Sequence, residues 1–334
     1  MKAAFIEETG PASVIQIGDV ATPPAAAGQV LVRVKAVAVN PIDTYIRAGN
    51  VSMELPSPYI IGCDLAGVVE AVGSGVSRFQ AGDRVWGSNQ GLAGRQGTFA
   101  QFAAVGEEWL YPIPDNVSFE DAAAVALVGI TAHLGLFLHG DLQAGETVFV
   151  NGGTGGVGSA VVQLAKAADA VVITTVGSEE KAEGAKQLGA DLVINYMDQD
   201  VAQTLHDYVQ SYSPINLWFE TLRIPNPEAT IPLLAKRGRY ILMAGRDAKP
   251  EFPIGPFYVN DLRAIGFAMF NASAAEQQAC AAAINAAMIN DRFHAVIGKR
   301  LPLDEAATAH QLQEDKTLHA QGELSGKIVL TIDE

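Results

Sequence analysis

Apolar and polar positions along this chain follow two different rhythms. Residues 29–40, QVLVRVKAVAVN, alternate between the two as a half-buried strand does. GCDLAGVVEAVGSGV (62–76) and AGDRVWGS (81–88) follow, each bounded by glycines. Short β segments punctuated by Gly and Pro predict a small, irregular β-rich domain over residues 1–121.

From residue 122 the rhythm changes. Buried-strand patterns at 147–150, 171–176, 192–196, 215–219 and 239–243 alternate with helical patterns. The helical stretches include SAVVQLAKAA (159–168), SEEKAEGAKQLG (178–189) and NPEATIPLLAKRG (226–238). Strand–helix alternation at this spacing predicts an α/β fold with a doubly wound parallel sheet over residues 122–270. The remainder, 271–334, holds an Ala-rich helix (274–290) and one strand, GKIVLTI (326–332). With too few strands for a domain of its own, it is expected to rejoin the first.

Composition narrows the classes. Of the 334 residues 49% are apolar and 18% charged, enough for two buried cores. A net charge of −15 argues against nucleic acid or anionic membranes as partners. Cys63 and Cys280 are the only cysteines, too few for a disulfide framework or a four-cysteine zinc lobe. The opening MKAAFIEETG reaches acidic residues before a signal-peptide core could form, so a soluble, cytoplasmic protein is expected. The uncharged run 122–138 is shorter than the ~20 residues of a membrane span and carries His133, which predicts a buried helix.

The chemistry concentrates at residues 148–181. Gly153-Thr154-Gly155-Gly156-Val157-Gly158 fits G-x-G-x-x-G, follows a strand and opens a helix. In that setting the glycines permit a tight turn and let a pyrophosphate approach backbone N–H groups at the helix N-terminus. An NAD site carries an acid at the tip of the second strand to hold the ribose hydroxyls. Here the tip reads Thr175-Val176-Gly177-Ser178, with Lys181 one turn on. That favours NADP(H). Glu179 and Glu180 argue the other way, but their place in the helix's first turn predicts that they face solvent.

Together, AVNPIDTYIRAG (38–49), GCDLAGVVEAVG (62–73), GDRVWG (82–87), GGTGGVG (152–158), LGADLVINY (188–196) and GKIVL (326–330) resemble the zinc-lacking medium-chain dehydrogenase/reductase superfamily. The branch they resemble is the zeta-crystallin-type NADPH:quinone oxidoreductases. The resemblance implies a GroES-like catalytic domain built from both chain ends, a Rossmann domain, NADP(H) as cofactor, and a homodimer joined through the Rossmann sheets. It implies that Asn40 and Tyr45 lie beside the nicotinamide and Thr131 near that end of the cofactor. Lys181 and Tyr196 would grip the 2′-phosphate, Val176 would replace the acid of NAD-dependent relatives, and Gly245 and Arg246 would lie on a loop passing the cofactor. One departure is a second aromatic residue expected after YIRAG, where this chain has Gly49-Asn50-Val51.

The metal-ligand places of zinc-dependent relatives correspond to Asn40, Cys63 and about Leu127, which is not a zinc set. Cys63 reads as a small core residue, and His133 and His139 as structural. Without a Lewis acid, hydrogen-bond donors must stabilise a developing oxyanion, which suits electron-poor acceptors such as quinones and α,β-unsaturated carbonyls. Asn40 and Tyr45 are the candidate donors. A non-catalytic NADPH-binding protein and a zinc alcohol dehydrogenase are the alternatives.

Overall fold

The computed structural model describes residues 1–319, 321–322 and 324–333. The chain divides into two compact units. The first comprises Met1–Leu127, Ser273–Ile289 and the chain from His294 on; the second comprises Val128–Ala272 and Asn290–Phe293.

In the first unit, β1 (Gln29–Val39) is the long alternating strand expected from the sequence. It leads into α1 (Pro41–Arg47), then β2 (Leu65–Val72) and β3 (Arg84–Gly87). β1 and β2 pair antiparallel, as do β2 and β3. Their inward faces (Val30, Val32, Val34, Leu65, Val69 and Val85) form the core, joined by Ile328 and Leu330.

The second unit begins within the apolar run. Helix α2 (Phe119–His133) continues as a π-helix over Leu134–His139. This stretch is long and apolar enough to cross a membrane, but 72% of its apolar window is buried within the fold. His133 packs on Phe137 and His139 on Phe267, with ring centroids 4.6 and 4.8 Å apart.

Next come β4 (Thr147–Asn151), α3 (Gly156–Ala167), β5 (Val171–Val176), α4 (Glu179–Gln187), β6 (Leu192–Asn195), β7 (Ile215–Glu220), β8 (Leu234–Leu242) and β9 (Arg263–Gly266). These form a six-stranded sheet in the order β6-β5-β4-β7-β8-β9, with every neighbouring pair parallel. The order reverses between β4 and β7, and a doubly wound sheet binds its ligand at the carboxyl ends of the strands at such a switch.

One expectation is corrected here. The helical pattern at 226–238 yields only a short helix at Pro227–Thr230 and a 3-10 turn at Ile231–Leu233. Pro232 cannot donate a helical hydrogen bond. The chain therefore turns extended at Leu234, where β8 pairs with Ile215 of β7. Strand β9 had no counterpart in the sequence reading.

The chain then forms α5 (Ala274–Ile289), α6 (Ala306–His319) and β10 (Lys327–Thr331). Strand β10 lies antiparallel to β1, with Ile328 opposite Val39 and Leu330 opposite Val37. The last strand thus sits within the first unit's sheet, between β1 and the edge strand Ile297–Pro302, and sets Lys327 beside the end of β1.

Candidate functional site

In the second unit the candidate cofactor residues gather at the carboxyl ends of β4 and β5. Gly155 is the N-cap of α3, and its N–H donates to Gly152 O at 3.1 Å. A Cβ on Gly158 would stand 2.1 Å from that same carbonyl, so only glycine lets the helix pack so tightly on the turn. The loop is tied to the tip of β5: Gly153 N donates to Thr175 O at 3.2 Å, and Gly152 N to Thr175 Oγ1 at 3.0 Å.

Beyond Thr175, Ser178 and Tyr196 lie next to the strand tip, with Lys181 in the first turn of α4. Ser178 caps α4, its Oγ accepting from Lys181 N at 3.2 Å. Tyr196 N donates to Val176 O at 3.0 Å, which carries the tyrosine next to the strand tip. Its ring covers Gly177 so closely that a Cβ there would meet the phenolic oxygen at 2.2 Å. Lys181 is half-buried, whereas Glu179 and Glu180 are exposed.

Val176 packs inward against Ala182 and Ala185 and is only 2% exposed. An acid placed there would be buried, not presented to a ribose. Gly245 has φ +88° after β8, close to Arg223 and Pro225, with exposed Arg246 following it. Thr131 is buried on α2. Sequence reasoning missed Asn151 and Glu220, opposite each other in the β4–β7 register at the switch. Asn151 Nδ2 donates to Glu220 Oε2 at 3.3 Å, and burial raises the Glu220 carboxyl above its ordinary range.

In the first unit, Asn40 is the N-cap of α1, with Pro41 at the first helical position. Asp43 accepts the Asn40 N–H at 2.8 Å, the reciprocal half of a capping box. The Asn40 side chain is engaged elsewhere. Its Nδ2 donates to Asp64 Oδ2 at 2.7 Å and to Ala38 O at 3.3 Å, while its Oδ1 accepts from Lys327 Nζ. At 0% exposure, Asn40 offers no surface to a substrate. Both ends of its side-chain amide are thus engaged inside the fold. Tyr45, one turn along α1, is half-buried and retains an accessible face.

The electrostatics of this cluster are those of a closed core. Burial raises the Asp43 carboxyl to about 7, relieved in part by the Cys63 thiol beside it. Burial likewise pushes the Cys63 thiol well above its ordinary value. Among the described residues no group of three or more His, Cys, Asp or Glu is placed to hold a metal ion.

A β-rich unit holding both chain ends and a six-stranded dinucleotide-type sheet define a medium-chain dehydrogenase/reductase. The alcohol dehydrogenase GroES-like domain family matches residues 26–115, and the zinc-binding dehydrogenase family matches residues 156–286. Human quinone oxidoreductase is 33% identical over 333 residues, covering 99% of this chain and 98% of its own length. Among solved structures, a mycobacterial protein complexed with NADPH aligns with TM-score 0.84 at 30% identity, over 99% of this chain and 100% of that one. An NAD-dependent alcohol dehydrogenase aligns with TM-score 0.88 at 30% identity over all of both chains. The chain belongs to the zeta-crystallin-like quinone oxidoreductases of the medium-chain dehydrogenase/reductase superfamily.

Proposed function

We infer that this chain is an NADPH-dependent oxidoreductase that reduces quinones or α,β-unsaturated carbonyl compounds without a metal. The observation that carries the reading is the corner formed by Gly177, Ser178, Lys181 and Tyr196 against the glycine loop. The chain supplies a lysine, a phenol and a capping serine here, and no acid at the strand tip. That donor set fits a 2′-phosphate. The glycine loop suits the pyrophosphate, since the N-terminus of α3 offers backbone N–H groups and a favourable dipole. With a net charge of −15 opposing an anionic ligand, Lys181 is needed locally. Thr131, Gly245 and Arg246 are assigned to the rest of the cofactor on the strength of the family resemblance.

Bound NADPH supplies the hydride. Tyr45 donates a hydrogen bond to the acceptor's carbonyl oxygen and orients it, and the balancing proton reaches that oxygen from Tyr45 or from water. Hydrogen-bond donors suffice because the acceptor is already electron-poor. The places of the metal ligands hold an amide, a single thiol and a leucine, a donor set unsuited to zinc.

A homodimer is part of the same proposal. Strand β9 is a largely exposed sheet edge, and the preceding helix Ile254–Val259 exposes Ile254, Tyr258 and Val259. Open edges and apolar faces of this kind are what partner subunits cover.

The test is NADPH oxidation against a panel of quinones and enones, with protein treated with a chelator. Turnover that survives chelation is expected. Tight NADPH binding without turnover on any acceptor would instead favour a non-catalytic NADPH-binding protein.

A further inference from the structure

The three places corresponding to metal ligands in zinc-dependent relatives converge here on one buried carboxylate, Asp64. Asn40 Nδ2 donates to it at 2.7 Å, Cys63 immediately precedes it, and the Leu127 backbone hydrogen-bonds it. Ser88 Oγ adds a bond to its other oxygen at 2.6 Å. Asp64 is buried, and a carboxylate in a dry core calls for a cation.

The cation is Lys327. Its side chain is buried, and its Nζ donates to Val39 O at 2.6 Å and to Asn40 Oδ1. Because the ammonium occupies Oδ1, the amide must turn Nδ2 to Asp64, and both ends of Asn40 are fixed. Asn40 starts α1, the helix that carries Tyr45. At the other end of α1, Arg47 donates to Gly10 O at 3.0 Å and pairs with Glu314 of α6. The C-terminal segment thus clamps α1 at both ends, with Tyr45 between the clamps.

We propose that Lys327 is a built-in cation that organises this buried cluster, and that it is a positioning residue for Tyr45. The proposal rests on the reading of Tyr45 given above. Removing the ammonium frees the Asn40 amide and loosens the first turn of α1. A misplacement of about 1 Å in a positioned group can cost about a hundredfold in rate. NADPH affinity is held by the other unit and should be unaffected.

The experiment is a double-mutant cycle of Lys327→Met and Tyr45→Phe, read as kcat and KM for a quinone, with NADPH Kd and Tm alongside. Lys327→Met should lower kcat by about a hundredfold, and by little more in the Tyr45→Phe background. Lys327→Met/Asp64→Asn, which removes both charges, should regain Tm without regaining kcat, and it decides alone if Lys327→Met does not fold. Recovery of kcat together with Tm would reduce Lys327 to charge compensation and overturn the proposal. Additive losses in the cycle, with a costly Tyr45→Phe, would also overturn it alone. A silent Tyr45→Phe in an otherwise active enzyme would overturn the reading of Tyr45 and this proposal with it.

Discussion

Tyr196 lies over Gly177 with no room between them: a Cβ on the glycine would meet the phenolic oxygen at 2.2 Å. The strand tip and the tyrosine therefore form one surface, and Tyr196 is 56% exposed. Gly177→Ala should push the ring away from this corner. NADPH binding is expected to weaken about tenfold, the loss of one charge-assisted hydrogen bond. NADH binding should hardly change. Fluorescence titration with both dinucleotides checks this, and equal losses would mean that the alanine disturbs the whole loop.

Tyr45 on α1 is half-buried, whereas Asn40 is sealed inside the fold. Tyr45→Phe should lower kcat/KM by about 10²–10³, the cost of removing a dominant oxyanion donor, with NADPH affinity retained. Unchanged turnover with every accepted substrate would show that the ring only packs.

His310 on α6 is fully buried, and neither ring nitrogen has a hydrogen-bond partner. Burial, with Arg47 adding to it, holds the imidazole at about 3. The unfolded chain therefore takes up the proton first. Stability supplied by the neutral ring is complete above pH 6.5 and is lost as pH falls from there towards 3. The loss is about 1.4 kcal/mol per pH unit inside that window. His310→Leu should flatten this limb, so its Tm should fall less than that of wild type between about pH 7 and pH 4.5. Parallel acid limbs in the two proteins would contradict it.

The parallel strands were legible because each is a short apolar run set between helical patterns. The first four match to within a residue or so at each end. Strand β9 was not, because RAIG is too short, and too exposed at the sheet edge, to carry a pattern. The stretch at 226–238 misled because its apolar spacing suits a helix until Pro232 and the pairing of Leu234 override it. At the site, local motifs pointed to the glycine loop and to Lys181. The tie between Lys327 and Asn40 spans 287 residues and exists only through the register of β10 on β1, so no local spacing announces it. The burial of Asn40 was hidden for the same reason.

The most direct measurement is the ratio of NADPH to NADH dissociation constants in wild type and in Lys181→Ala. NADH has no charge at the 2′ position for Lys181 to meet. A charge-assisted bond contributes about 1.5–3 kcal/mol, so the substitution should weaken NADPH about ten- to a hundredfold and leave NADH nearly untouched. Lys181→Ala is a cleaner probe than an acid at Val176, which would be buried. A wild type that prefers NADPH, and a ratio that collapses in Lys181→Ala, is the predicted result. A wild type that prefers NADH, or a ratio that does not move, would contradict the account.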